Sequence, residues 1–220
     1  MIEMIAKRKQ NITRGFIYVF GVITLALGIS LNTKTGLGVA PITSVAYSTS
    51  HATGIIFSVC IFSLYTLMLI AELIIKGKDR NWIDYLQLPF SFAFSLLLDV
   101  YDRFLVLEFP HLWQNILLLM AAVVFTGAGV SMTVNTRLVA NPADALVKAI
   151  ADRAKKDMGL VKNVLDIGCV CTAMVIDLCA GNLWVSVGVG TVLTMILVGR
   201  AVYMFNRLFL KKMLRASGLE

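Results

Sequence analysis

Residues 28–41 read Gly-Ile-Ser-Leu-Asn-Thr-Lys-Thr-Gly-Leu-Gly-Val-Ala-Pro, and residues 129–142 read Gly-Val-Ser-Met-Thr-Val-Asn-Thr-Arg-Leu-Val-Ala-Asn-Pro. Each residue that the two stretches share recurs after 101 positions. The other positions mostly keep an apolar residue in place of an apolar one. The pattern predicts a chain of two related halves, and an internal repeat in an apolar chain is typical of membrane transporters.

The composition indicates an integral membrane protein. The chain has 220 residues, of which 58% are hydrophobic and 15% are charged, whereas a soluble domain carries about 25% charged residues. The apolar residues also fall in blocks of roughly 20, the length needed to cross a bilayer as a helix. The first block, 16–31, exceeds the apolar core of a signal peptide, so we expect it to remain as a spanning helix.

The apolar blocks predict an all-α membrane protein with a single domain over residues 1–220. Each half has a short extra helix after its first span. The expected spans are 15–33, 55–75, 86–105, 112–134, 160–180 and 183–206, and the expected short helices are 41–52 and 142–156.

The basic residues predict how the chain crosses the membrane. With both termini in the cytoplasm, 18 of the 20 Lys and Arg residues lie on the cytoplasmic side, and only Lys34 and Arg103 lie outside. The repeats, at about 13–108 and 112–210, then contain three spans each. An odd number of spans makes the second half inverted, related to the first by a pseudo-two-fold axis in the membrane plane.

Charge and cysteine spacing argue against several other functions. The net charge of +7 lies at the ends of apolar blocks, as topology signals do, so no nucleic-acid partner is predicted. The four cysteines lie inside apolar blocks without metal-ligand spacing, and no metal site or cofactor is predicted. The chain also lacks a nucleophile–base constellation or a phosphate-binding loop, so we do not expect an enzyme.

The repeated stretch is the predicted substrate site. Pro41 and Pro142 suit the first position of a helix, and Asn141 suits the position that caps one. A helix that begins inside a membrane presents free N–H groups to an anion. The predicted substrate-binding residues are Lys34, Thr35, Gly36, Gly38, Pro41, Thr43 and Ser44 in the first copy, and Arg137, Asn141, Pro142 and Asp144 in the second. Alternatively, both short helices lie flat on the membrane surface.

Three acidic residues inside the spans are candidates for coupling, because a charge in a membrane is costly and often functional. Asp99 lies within the third span. Glu72 and Asp177 lie near the ends of the second and fifth spans and match each other if a four-residue insertion follows the repeated stretch, which would also pair Gly54 with Gly159. A structural hydrogen bond is the alternative for Asp99.

Several motifs resemble the bacterial YczE/YyaS/YitT group of membrane proteins. They are Leu37-Gly-Val-Ala-Pro-Ile-Thr-Ser-Val45, Tyr85-Leu-Gln-Leu-Pro-Phe-Ser-Phe92, Asn141-Pro-Ala-Asp-Ala-Leu-Val-Lys-Ala-Ile150, Gly159-Leu-Val-Lys-Asn-Val-Leu-Asp166 and Gly188-Val-Gly-Thr191. The resemblance covers about residues 15–206 and implies a six-span protein of the bacterial inner membrane. The resemblance does not identify a substrate or a mechanism.

The sequence therefore favours a small secondary transporter in the cytoplasmic membrane that moves a small solute, which could be an anion. Two alternatives are a substrate-binding subunit of an ATP-driven uptake system and a scaffold that does not transport. The expected partners are the lipid bilayer, the solute and, because six spans enclose little space, a second copy of the chain.

Overall fold

The structure is a computed structural model that describes residues 2–182 and 185–219. All regular structure in these residues is helical. The α-helices are α1 (Ile2–Thr33), α2 (Pro41–Thr53), α3 (Phe57–Lys76), α4 (Trp82–Tyr85), α5 (Gln87–Phe104), α6 (Leu112–Asn135), α7 (Pro142–Ala154), α8 (Met158–Cys179) and α9 (Val189–Ser217). A single 3-10 turn, Gly77–Asp79, follows α3. Six segments are long and apolar enough to cross a membrane: α1, α3, α4 together with α5, α6, α8 and α9.

Two details differ from the expectations drawn from sequence. The last helix runs over Val189–Ser217 rather than 183–206, and Gly218 ends it in a left-handed conformation; residues 183 and 184 lie outside the described residues. The insertion that would pair Gly54 with Gly159, and Glu72 with Asp177, is wrong, because α3 and α8 begin 101 positions apart, at Phe57 and Met158. Gly54 and Lys155 both follow a short helix with positive φ, 73° and 52°, and they are 101 positions apart. The original spacing therefore continues through both short helices.

α1 and α6 form the central pair of the bundle and run in opposite directions. Gly28 lies against Thr126, and Gly129 lies against Leu25. A Cβ atom on either glycine would come within 2.5 Å of the facing backbone nitrogen. Glycine therefore permits a backbone-to-backbone approach that no larger residue allows, as small residues do between membrane helices.

The register of this pair leaves each helix shorter than its partner at one end. Because Gly28 faces Thr126, the last residue of α1, Thr33, lies level with residue 121 of α6. α6 begins nine residues earlier, at Leu112, and so extends about 13 Å beyond α1. By the same register the last residue of α6, Asn135, lies level with residue 19 of α1. α1 continues beyond that level toward its own N-terminus. Each of the two helices therefore ends beside a part of its partner helix that continues further.

The two short helices pack inside the bundle. α2 packs on α8 and α3, and α7 packs on α3 and α8. In both, most of the residues up to position 48 or 149 are buried, and the exposed residues are those of the final turn together with Lys148. One apolar core cluster contains Ala46 of α2 together with Ala143 and Leu146 of α7. This packing contradicts the alternative in which both helices lie flat on a membrane surface.

The two ends of the bundle are named here for a buried acid at each. At the Glu72 end, α3 ends, α5 begins, and the chain between α6 and α7 (residues 136–141) turns; Arg14 of α1 and the C-terminal Gly218 lie on the same side. At the Asp177 end, α8 ends, α9 begins, and the chain between α1 and α2 (residues 34–40) turns.

Candidate functional site

The turns after α1 and α6 have the same local structure. Gly36 and Arg137 take the left-handed conformation, with φ of 63° and 49°, at equivalent positions. The hydroxyl groups of Thr35 and Thr136 each donate to the carbonyl three residues earlier at 2.8 Å. Both threonines are buried. By bonding to carbonyl groups in the last turns of α1 and α6, these hydroxyl groups help to end the two helices. This shared role explains why the two copies have the same residue, threonine, at this position.

The starts of the short helices use different caps. Asn141 accepts a hydrogen bond from the backbone N–H of Ala143 at 3.0 Å, and Pro142 follows it, as the sequence predicts. α2 begins with Pro41 after Ala40, which has no capping side chain. Instead, Oδ1 of Asn32, in the last turn of α1, accepts from the backbone N–H of Ala40 at 2.8 Å. This role of Asn32 was not predicted from the sequence.

The polar groups predicted to bind substrate at the start of α2 are largely engaged by the backbone. The hydroxyl of Thr43 donates to the carbonyl of Ala40 at 2.9 Å, and that of Ser44 donates to the carbonyl of Pro41 at 2.6 Å. Gly38 packs against the backbone of Gly188 and leaves no room for a side chain. These residues build the turn and the first turn of α2.

The two predicted cations do not share a site. Lys34 forms an ion pair with Asp102. Arg137 is exposed, and its carbonyl accepts from Nη2 of Arg14 at 2.7 Å. The helix ends that precede Lys34 and Arg137 are about 21 Å apart along α1, given the register of α1 and α6. A single anion site built from both copies is therefore not formed.

The acids Asp99 and Asp144 also have local partners. Asp99 lies 2.9 Å from Nη2 of Arg103, one turn later, and its side chain is 24% exposed. Asp144, in the first turn of α7, lies 3.8 Å from Nζ of Lys162. The Asp99–Arg103 pair, one turn apart on α5 and partly exposed, gives the carboxylate of Asp99 a local partner.

At the Asp177 end a buried network closes off the turn of residues 34–40, while a separate cavity of about 500 Å³ lies beside Lys34 and Asp102. Oδ2 of Asp177 accepts from the hydroxyl of Ser186 at 2.7 Å and from its backbone N–H at 3.1 Å. The hydroxyl of Ser48 lies 2.6 Å from that of Ser186, and both serines are fully buried. Two backbone hydrogen bonds, from Val39 N–H to the carbonyl of Ser186 at 2.9 Å and from Gly190 N–H to the carbonyl of Leu37 at 2.7 Å, join residues 34–40 to the start of α9 and the residues just before it.

The Glu72 end also has a buried acid, and the turn of residues 136–141 there is more exposed than the turn of residues 34–40. Oε2 of Glu72 accepts from Nε2 of Gln87 at 2.8 Å, so the end of α3 is joined to the start of α5. Nζ of Lys76 lies 2.6 Å from Oε1 of Glu72 and 2.8 Å from Oδ1 of Asp84. Beside these groups lies a cavity of about 490 Å³ that also touches Ala140, between α6 and α7. Its volume is within the range of small-molecule sites.

Three buried side-chain atoms lack hydrogen-bond partners among the described residues: Nδ2 of Asn32, Oε1 of Gln87 and Oε1 of Glu72. The last of these has the ammonium of Lys76 beside it, so Gln87 and Asn32 are the two without any partner. A buried polar group without a partner costs free energy and often marks a functional position. A sequence signal for Gln87 existed, because it is a polar residue near the start of an otherwise apolar span. Within the described part of the chain, no three His, Cys, Asp or Glu side chains are placed to hold a metal ion.

Six apolar helices of spanning length indicate a multi-pass membrane protein. The chain belongs to a family of unknown function, DUF6198, whose model matches residues 12–207. No curated protein and no solved structure matches it.

Proposed function

We propose that this chain is a small secondary transporter built from two inverted three-span repeats, with both termini in the cytoplasm. The observation that carries the proposal is that equivalent parts of the two halves differ in accessibility. Residues 37–39 are bonded to the lead-in of α9 at the Asp177 end. Their counterparts at the Glu72 end, including Leu138 and Ala140, line an open cavity beside Gln87. Two related halves in different states are what a transporter needs to open one side at a time.

Inverted symmetry is supported by the contact between α1 and α6. Gly28 faces Thr126 and Gly129 faces Leu25, and adding 101 to the α1 position of each pair gives the α6 position of the other pair. Such reciprocal contacts are those of a two-fold axis. Because α1 and α6 run in opposite directions, the axis crosses the helices and would lie in the membrane plane.

The other helices support the same symmetry. α2 packs on α8, and its counterpart α7 packs on α3, the counterpart of α8. α1 packs on α5, and α6 packs on α9. The two halves are not equivalent everywhere, because α3 packs along α5 whereas α8 and α9 do not pack along each other. This unequal packing accompanies the unequal accessibility of the two turns.

Broken helices at membrane depth support transport. α1 and α6 each stop beside a partner helix that continues outward for about 13 Å or more. The turns that follow would therefore lie inside the bilayer, and the short helices would begin there. Irregular backbone at such depth is tolerated where protein or a water-filled cavity surrounds it, and it is common at the sites of secondary transporters.

The basic residues support a cytoplasmic position for the Glu72 end. Arg14, Lys76 and Lys148 lie at the Glu72 end, and Gly218 lies against Gln10 there. The excess of Lys and Arg at this end favours a cytoplasmic position, in the bacterial inner membrane that the resemblance to the YczE/YyaS/YitT group implies. The structure would then represent a state open to the cytoplasm.

Cysteine labelling tests the exchange between states. In a chain whose four native cysteines are replaced by alanine, Val39→Cys and Ser186→Cys should form a disulfide that locks the Asp177 end closed. Ala140→Cys should then react fastest with a membrane-impermeant maleimide added from the cytoplasm. Reduction should slow that reaction, because the protein can then populate the opposite state. Lys78→Cys, exposed at the same end, is the control and should not respond.

The same experiment can refute transport. Equal labelling of Ala140→Cys before and after reduction would show that the two ends are independent. A separate ATPase that co-purifies with the chain would favour the ATP-driven uptake alternative instead.

A further inference from the structure

The cavity at the Glu72 end has a distribution of charge that points to a class of ligand. Glu72, Lys76 and Asp84 form one contiguous group, in which the single ammonium contacts both carboxylates. With all three groups ionised, its formal charge is −1. Lys148 of α7 also lines the cavity and forms no ion pair among the described residues. The cavity therefore presents a net negative group and a separate unpaired cation.

Gln87 lines the same cavity and is 2% exposed. Its Nε2 must be the atom that faces Glu72, because a carboxylate oxygen can accept a hydrogen bond but cannot donate one to the amide oxygen. Oε1 is therefore left as a buried acceptor without a donor. A ligand that supplied an N–H group here would remove the cost of that unpaired atom.

We propose that this cavity binds a small zwitterion, a solute that carries both an ammonium and a carboxylate group. The ammonium lies beside the net negative group and donates to Oε1 of Gln87. The carboxylate pairs with Lys148. A simple anion would satisfy Lys148 but leave Oε1 of Gln87 unpaired and add repulsion from the acids. A simple cation would leave Lys148 unpaired.

This assignment rests on the proposed transport function, since it names the solute class of that path. It differs from the sequence-based expectation of an anion held at the repeated stretch, because the groups that carry it lie at the end of α3, the start of α5 and the outer face of α7. Gln87, Asp84 and Lys148 were not among the residues predicted to bind substrate.

The test is thermal unfolding of the purified full chain with millimolar alanine, leucine, proline or glutamine. Each probe is compared with the carboxylate that lacks its amino group and with the amine that lacks its carboxylate. At least one zwitterion should raise the midpoint saturably, and both of its analogues should bind about tenfold more weakly or worse, since each leaves a buried or charged group unpaired.

Lys148→Gln is the matching variant because its side chain is exposed and its loss should not impair folding. It should weaken binding of the zwitterion by about tenfold or more. Lys78→Gln removes the same charge at the same end, outside the cavity, and should leave the affinity unchanged.

Three results would overturn the assignment: no stabilisation by any of the four zwitterions, equal binding of a zwitterion and its deaminated analogue, or full affinity in Lys148→Gln. If no zwitterion binds but the labelling of Ala140→Cys responds to reduction as expected, only the proposed solute class is wrong. Binding without exchange would retain the site and reject transport.

Discussion

Replacing Gly129 by alanine should separate α1 from α6. The new methyl group would lie 2.5 Å from the backbone N of Leu25 and 2.6 Å from its Cα. Normal contact between such atoms needs about 3.5 Å, so the helices must move apart by about 1 Å. Backbone atoms cannot rotate away as a side chain can. Overpacking of this kind costs about 1–3 kcal/mol of unfolding free energy.

The measurement is reversible unfolding in detergent, with Gly168→Ala and Gly199→Ala as controls. A Cβ atom at either control position meets nothing within 4 Å, and alanine should gain up to about 1 kcal/mol there from helix propensity. Gly28→Ala should be destabilising like Gly129→Ala. The double variant should lose less unfolding free energy than the sum of the two single losses, because one separation of α1 from α6 accommodates both methyl groups. Equal stability of Gly129→Ala and the controls would refute the close α1–α6 contact.

Three further results are expected. Asp99→Asn should change the unfolding free energy by less than about 1 kcal/mol and leave transport intact, because the Asp99–Arg103 pair is partly exposed; loss of gradient-driven uptake with normal folding would restore Asp99 as a coupling residue. Ser186→Ala should cost about 1.5–3 kcal/mol in thermal or denaturant unfolding, since it removes the buried hydroxyl bond to the carboxylate of Asp177; a neutral result would show that this network does not stabilise the closed end. A cysteine at Lys155 should react only from the cytoplasmic face of oriented vesicles, and labelling from outside would overturn the six-span topology.

The sequence predicted the local elements well because their signals are local. The fourth span, expected at 112–134, is Leu112–Asn135, and the short helices begin at Pro41 and Pro142 as predicted. Proline at the first helical position and an asparagine cap are decided by neighbours a few residues away. The last helix was predicted at 183–206, whereas it begins at Val189 and continues to Ser217.

The candidate site was harder to predict because its partners are far apart in the chain. Lys34 and Arg137 occupy matching positions in the repeat, yet the register of α1 against α6 separates the helix ends before them. Gln87 meets Glu72 because the chain turns back after α3. No periodicity or motif in the sequence specifies these distances.

The amino-acid sequence by itself determined the helical class, the number of long apolar helices and the turns that interrupt them, because hydrophobic length and helix caps act over a few residues. Only the tertiary structure decided that the turn of residues 34–40 is buried and hydrogen-bonded to residues 186–190, while its counterpart at the Glu72 end lines a cavity. Ser48 and Ser186 are 138 residues apart in sequence and 2.6 Å apart in space, whereas the equivalent region at the Glu72 end stays open. That difference arises from the packing of helices whose local sequences are alike, and packing depends on all the helices together.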